Sequence, residues 1–236
     1  MPAGILILIL GLVPWNVQAQ SQREMALNTL RSAEEPRSFQ ASILVETRED
    51  NGNVYTHEFS LYTQDGKEIL RYQAPVRDRG KLILQIEGSY WMYFPAVRRS
   101  LVLSPIGALA GSVSNGDLLQ PPLLTLYTVS DEAPSQNGIT LTLNAKDSTA
   151  PYGRIVTEFR DGKMQTANYF SRSGILVKQA EYLDHTDIGR NDWIATEVLI
   201  TSPLEDGQES TIKLSNPEER SFPPAWFNPN NLGNVR

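Results

Sequence analysis

Side chains able to do chemistry are few in this chain and do not form a familiar catalytic set. There is no cysteine, and the two histidines, His57 and His185, lie far apart in sequence. His185 belongs to the run Asp184-His185-Thr186-Asp187, which has the residue types of a metal or acid–base cluster. Because successive side chains of a strand point to opposite faces, Asp184 and Thr186 would point away from His185 and Asp187. We therefore predict no metal site and no catalytic residue there.

Motifs of the common enzyme classes are also missing from the sequence. It contains no G-x-S-x-G elbow, H-E-x-x-H helix, P-loop or dinucleotide fingerprint. The segment GSVSNG (111–116) lacks the spacing of the elbow and is more simply a turn. The formal net charge of −6 argues against nucleic acid or an anionic membrane surface as a partner. The residues thus give no support for catalysis.

The first 19 residues are typical of a secretory signal. Residues 5–13 are apolar but too few to span a bilayer, and Val17-Gln18-Ala19 is a small-residue cleavage site. We expect cleavage after Ala19, leaving residues 20–236 as one exported domain; a buried N-terminal strand or an uncleaved anchor is the alternative. Because a lipoprotein needs a cysteine at its cleavage site, we expect no lipid anchor, no disulfide and no stable membrane insertion.

The elements expected along the chain are one helix followed by many strands. Residues 21–35 have helical periodicity and Pro36 ends the run, after which apolar residues recur at every second position. Turn signals such as Asn51-Gly52 and Asp161-Gly162 separate roughly eleven strands, which indicates an antiparallel sheet or barrel.

Residues 104–124 interrupt this pattern. An aromatic strand (90–94) ends at Pro95, and a basic pair and another strand follow it. A loop rich in Gly, Ala and Ser begins at residue 104, with a predicted helical turn at 115–120 before two prolines. A long interruption inside a compact β domain is often functional or mobile.

Taken in order, several segments resemble the LolA/LolB-like outer-membrane lipoprotein-sorting proteins. The likeness covers most of residues 21–232, although Val113 and Ser114 replace the acidic and aromatic residues usual in that family. The matching segments are GKEILRYQAPVRDRGKLIL (66–84), YWMYFPAVRR (90–99), GSVSNGDL (111–118), YFSRSGILVKQAEY (169–182) and TSPLEDGQESTIKL (201–214).

This resemblance implies a mainly β fold: a curved, incomplete antiparallel barrel with an N-terminal helix and a helical or loop lid over its concave face. It implies a non-enzymatic periplasmic carrier, without a cofactor, whose hollow holds acyl chains of lipoproteins or lipids on their way to the outer membrane. An inner-membrane export complex or transporter would be its partner. A sensor module like the RseB-type regulators, or an accessory subunit of a transporter, is the alternative.

Apolar area is what an acyl chain requires, since burying each CH₂ group is worth about 0.8 kcal/mol. We expect Leu82, Leu84, Trp91 and Tyr93 to line the hollow in part. Strand 90–94 is apolar on both faces, so the opposite orientation stays open, and ordinary core packing is the alternative for every such position.

Glycines and arginines complete the predicted site. Gly107, Gly111 and Gly116 are expected hinges of a lid, the alternative being an ordered connection packed by nearby leucines. Arg98 and Arg99 would meet a lipid head group or an acidic partner, unless they are a solvated strand edge. Arg71, by the resemblance, stands near a functionally sensitive arginine, although a surface role is the alternative.

Overall fold

The structure, a computed structural model, describes residues 15–33, 37–119, 123–188, 193–204 and 207–235. The apolar segment 5–13 and Pro36, Pro121 and Pro122 therefore lie outside the described residues.

Within the described residues, thirteen antiparallel strands form one curved sheet that does not close into a barrel, which confirms the predicted fold class. The alternating apolar residues produce this sheet, because every second side chain of a strand faces the core. A separate pair, β7 and β8, is formed between the sixth and ninth strands. The strands are β1 (Ser38–Arg48), β2 (Val54–Gln64), β3 (Lys67–Ala74), β4 (Leu82–Ile86), β5 (Ser89–Phe94), β6 (Arg99–Leu103), β7 (Ala108–Ala110), β8 (Val113–Ser114), β9 (Tyr127–Ser135), β10 (Gly138–Ala145), β11 (Arg154–Arg160), β12 (Lys163–Phe170), β13 (Leu176–Asp187), β14 (Trp193–Thr201) and β15 (Glu209–Glu219).

The strand order of the main sheet determines where the connection between β6 and β9 must run. The order is β6-β5-β4-β3-β2-β1-β15-β14-β13-β12-β11-β10-β9, so β6 and β9 are the two edges and β1 pairs with β15 near the middle. The connection from β6 to β9 must therefore pass from one edge of the sheet to the other. We call its described part, residues 104–119 and 123–126, the crossing segment; it contains β7, β8 and the short helices α2 (Asn115–Leu118) and α3 (Leu123–Leu126).

Strand β9 was not predicted from the sequence. It contains Asp131, Glu132 and Pro134, which are residue types of loops rather than of buried strands. Its position explains the difference, because an edge strand tolerates proline and charged residues that block pairing with another sheet.

Helix α1 (Trp15–Ser32) begins earlier than the predicted 21–35 and runs across the predicted cleavage site. Ala26, Leu27 and Leu30 are buried in the core of the domain. Gln22 fixes the helix to the turn after β11: its Nε2 donates to Asp161 Oδ1 at 2.7 Å, and its Oε1 accepts the Asp161 N–H at 2.8 Å. The helix is thus attached to the sheet through residues that follow position 20.

The two faces of the sheet carry separate hydrophobic cores. The inner face packs against α1 and the crossing segment and includes Leu70 and Ile83. The outer face of β3–β5 is covered by the C-terminal tail, whose Phe222 and Phe227 pack on buried residues such as Ile69. Short 3₁₀ helices occur at Val76–Asp78, Pro224–Trp226 and Leu232–Asn234.

Candidate functional site

A hollow of about 330 Å³ lies between α1, the inner face of the sheet and the crossing segment. A cavity needs a volume of only about 10–15 Å³ to hold one water molecule, so this hollow has room for a larger ligand. Most of its wall is apolar and comes from α1, β1, β2, the strands β12–β15 and the crossing segment. The apolar lining residues are Leu30, Ala33, Phe39, Ile43, Leu61, Leu118, Leu123, Met164, Ile194, Ala195, Val198, Ile200, Ile212 and Leu214.

Glu68 is a polar exception in this wall. Its Oε2 is buried and accepts no hydrogen bond from the described residues. Burial raises the pKa of the Glu68 carboxyl to about 8, while the positive charge of Arg37, which also lines the hollow, opposes that shift. The carboxyl is therefore mostly neutral at pH 7, which lowers the cost of placing it among apolar groups.

A buried ion pair ties the crossing segment to the sheet. Asp117 of α2 pairs with Lys178 of β13, and their side chains are only 3% and 9% exposed. Asp117 Oδ2 also accepts hydrogen bonds from the backbone N–H and the hydroxyl of Ser114, at 2.7 and 2.8 Å. Lys178 Nζ donates to the same hydroxyl at 3.1 Å. Both charges are thus compensated inside the protein.

Tyrosines surround this ion pair. Tyr152 has its ring centroid 6.0 Å from Lys178 Nζ and 4.8 Å from the ring of Tyr169. The hydroxyls of Tyr169 and Tyr182 are 3.1 Å apart. Burial raises the pKa of Tyr182 to about 12, and it raises the pKa of Tyr152 and Tyr169 as well. These hydroxyls therefore stay neutral at physiological pH and remain able to donate hydrogen bonds.

Further hydrogen bonds hold the crossing segment against the sheet. Tyr90 of β5 donates from its hydroxyl to the Leu119 carbonyl at 2.6 Å. The backbone N–H of Ser112 donates to Ser210 Oγ at 3.2 Å, and its hydroxyl donates to Gln208 Oε1 at 3.0 Å. The segment is therefore an ordered cover over the hollow.

The three glycines predicted as hinges occupy places where the backbone is closely packed. A Cβ at Gly107 would lie 3.1 Å from the Ser104 carbonyl oxygen, and one at Gly116 would lie 3.3 Å from the Pro105 oxygen. Gly111 has φ +56° and lies against Thr47 of β1. These close contacts agree with the alternative reading of the sequence, an ordered connection, and the role of the three glycines as hinges stays a prediction.

Four residues predicted to line the hollow lie on the outer face instead. They belong to the second core or pack against it, beneath the C-terminal tail. The physical reason is the register of β4 and β5, which turns the other set of side chains inward. The sequence had left the orientation open for residues 90–94 but not for β4. The outer-face residues are Leu82, Leu84, Trp91 and Tyr93, and the inner-face residues of the same strands are Ile83, Tyr90 and Met92.

The predicted arginines are not among the residues that line the hollow. Arg71 is half-buried on β3, opposite Leu82 of β4. Arg98 is exposed in the turn between β5 and β6, with φ +51°, and the exposed Arg99 begins the edge strand β6. Their head-group or partner role stays a prediction.

The histidines do not meet in the fold. Among the described residues no three His, Asp or Glu side chains are grouped as metal ligands. His185 donates its backbone N–H to Asp184 Oδ1, and burial lowers the pKa of both His57 and His185. In the described ranges, no helix combines the length and the apolar character needed to cross a membrane.

Sequence reasoning missed the Asp117–Lys178 pair, whose members are 61 residues apart. A weak signal was present: Lys178 is in phase with Ala180 and Tyr182 along β13, so it occupies an inward position of an otherwise apolar face. A lysine at such a position needs a partner, but the local pattern does not say which one.

A protein-family model with the description "Uncharacterized protein" matches residues 64–234. None of the curated proteins compared with the chain matches it.

Solved structures share the fold at low sequence identity. A LolA superfamily protein from Nitrosomonas europaea is 22% identical, with a TM-score of 0.75, over 86% of this chain and 97% of that one. A domain from Vibrio parahaemolyticus, described as outer membrane lipoprotein-sorting, is 16% identical with a TM-score of 0.75, over 91% and 99% of the two chains. A DUF1329 family protein from Desulfovibrio piger is 19% identical with a TM-score of 0.72, over 89% and 97%. At these identities the likeness shows a LolA-like fold.

Proposed function

The chain belongs to the protein family whose model matches residues 64–234, and we propose that it is a carrier or chaperone that binds the acyl chains of lipoproteins or lipids. The hollow is the observation that supports this proposal. It is large, its wall is mainly apolar, and it lies under an ordered cover. Each CH₂ group placed there gains about 0.8 kcal/mol, so a wall of this kind supplies affinity without specific donors.

The proposed setting follows from the expected signal and from the LolA-like fold. The exported domain, residues 20–236, would work in the periplasm without a lipid anchor and without catalysis or a cofactor. It would take cargo from an inner-membrane export complex or transporter and move it toward the outer membrane. The lipoprotein-sorting role for which the Vibrio parahaemolyticus domain is named is consistent with this route.

Filling the hollow tests the proposal. Val198 lines the hollow, whereas Leu199 follows it on the same strand and points to the other face. We expect the purified protein to bind a fluorescent fatty acid or a lipopeptide, and Val198→Trp to weaken that binding at least about tenfold. Leu199→Trp is the matched control and should bind like the wild type.

Native mass spectrometry with lipid extraction complements this test. A co-purifying phospholipid, fatty acid or acylated peptide would identify the class of cargo. A clean apo mass, together with no uptake of either probe, would refute the carrier proposal.

A docking role is the second candidate, and the edge strand β6 favours it. Leu101 and Val102 are 57% and 77% exposed on an unpaired edge, beside the exposed Arg98 and Arg99. Such an edge suits an accessory or regulatory module that binds a partner strand. Crosslinking from position 102 in the periplasm, with and without Arg98→Glu/Arg99→Glu, should capture a partner that the charge-reversed variant loses.

A further inference from the structure

Lys178 is a buried cation whose hydrogen-bond partners both come from the crossing segment. It lies on the sheet, whereas Asp117 and Ser114 belong to the crossing segment. Any movement that lifts α2 off the sheet takes away both of these partners at once. Lys178 would then be a buried charge without compensation, a state that is strongly unfavourable unless another anion replaces the carboxylate.

The surroundings of Lys178 are suited to receive such an anion. Tyr152 lies beside the lysine, with its ring centroid 6.0 Å from Lys178 Nζ. Tyr169 and Tyr182 continue the cluster with hydroxyls that remain neutral donors. An ammonium with nearby phenol hydroxyls is a donor set for a phosphate or carboxylate group.

This donor set adjoins the hollow. Asp117, Tyr169 and Tyr182 all line the 330 Å³ hollow. An anion in the place of the Asp117 carboxylate would therefore be continuous with an acyl chain bound against Val198 and Ile200. One molecule with an anionic head and an apolar chain fits both parts of the site.

We propose that Lys178, with Tyr152, Tyr169 and Tyr182, is an anion site for the head group of an anionic lipid, and that the Asp117 carboxylate occupies this site while the crossing segment is closed. The inference rests on the proposed carrier function and specifies the cargo: an acyl chain that ends in a phosphate or a carboxylate. Cargo and crossing segment then compete for the same lysine, so binding of the head group is coupled to displacement of α2.

Chain-matched probes test the proposal. Dodecanoate and dodecyl phosphate carry the anion, and dodecanol has the same chain without it; calorimetric titration of the purified protein gives each affinity. We expect both anions to bind at least about tenfold more tightly than dodecanol, which is about the effect of one charge-assisted hydrogen bond. Lys178→Met should lose this preference while still binding dodecanol, and Lys178→Arg should retain it.

A second variant keeps the test decisive if Lys178→Met does not fold. Asp117→Asn removes the competing carboxylate and leaves the lysine, so it should increase the preference for the anions over dodecanol. Lys213→Met removes an exposed lysine whose ion pair with Glu46 lies elsewhere, and it should bind all three probes like the wild type.

Each remaining outcome has one meaning. Equal affinity for the anions and dodecanol in wild type and Asp117→Asn would overturn the anion site and leave the carrier function standing. Failure to bind any of the three probes would overturn both. Millimolar inorganic phosphate should not compete with the anionic probes; competition that disappears in Lys178→Met would show a site for free anions and overturn the lipid assignment.

Discussion

At the scale of single residues, the Asp117–Lys178 pair should behave as a buried charge pair rather than as a surface one. Asp117→Leu leaves Lys178 unpaired, so we expect a loss of about 3–5 kcal/mol in the free energy of unfolding. The double variant Asp117→Leu/Lys178→Met removes both charges and should recover most of that loss. Urea unfolding of the wild type, the two single variants and the double variant measures the coupling, and simple additivity would contradict it.

Glu68 should make the protein less stable as the pH rises. The unfolded chain ionises this carboxyl above about pH 4.5, whereas the folded protein holds the proton up to about pH 8. The folded state therefore binds more protons between these values, and the free energy of unfolding falls across that window and is constant above it. Glu68→Gln should abolish this dependence and stabilise the protein by roughly 2–3 kcal/mol at pH 7.

Urea unfolding at pH 5, 7 and 9 checks the prediction for Glu68. Glu219 is exposed at the end of β15, so Glu219→Gln is the control and should leave the pH dependence unchanged. A Glu68→Gln variant with the same slope as the wild type would mean that the carboxyl is already ionised in the folded protein.

At the scale of elements, local pattern predicted the strands but not their orientation. Helical periodicity predicted the N-terminal helix, and turn signals with period-two alternation predicted most strands, because those patterns are set by neighbours in sequence. The aromatic strand β5 has apolar groups on both faces, so its register with β4 decides that Tyr90 faces inward and Trp91 outward. The partner of Lys178 likewise depends on where the crossing segment lies, which no local pattern contains.

Gly111 should be required for that position of the crossing segment. It has φ +56°, and a Cβ there would overlap Thr47 and lie 2.7 Å from Ser210 Oγ. Gly111→Ala should therefore cost more than the roughly 1 kcal/mol expected for an L-residue in a left-handed conformation. Gly174 has φ +83° with open space around it, so Gly174→Ala gives the conformational cost alone. Equal losses of unfolding free energy in Gly111→Ala and Gly174→Ala, measured with urea, would show that the crossing segment adjusts around Gly111 without cost and would contradict the prediction.

At the scale of the whole molecule, the order of the strands creates the site. The strands run from β1, in the middle of the sheet, to the edge strand β6, and they resume at the opposite edge with β9. The crossing segment joins these two edges across the inner face. The outer face of β3–β5 is closed by the tail through Phe222 and Phe227, so it needs no ligand to complete it. The inner face is closed by α1 and the crossing segment, and the packing between them leaves the hollow.

The domain should fold without its first 19 residues. Helix α1 starts at Trp15, but its buried side chains include Gln22, Ala26, Leu27 and Leu30, and its hydrogen bonds to Asp161 begin at Gln22. We expect the chain 20–236 to stay within about 1 kcal/mol of the chain 1–236 in the free energy of unfolding. The chain 34–236 is the matched comparison: it loses Leu27 and Leu30, each worth about 1.5–3 kcal/mol of burial, and opens one wall of the hollow. Urea unfolding of the three chains tests this, and mass spectrometry of the exported protein identifies its N-terminus. A marked loss of unfolding free energy in the chain 20–236 would place part of the fold before residue 20 and contradict cleavage after Ala19.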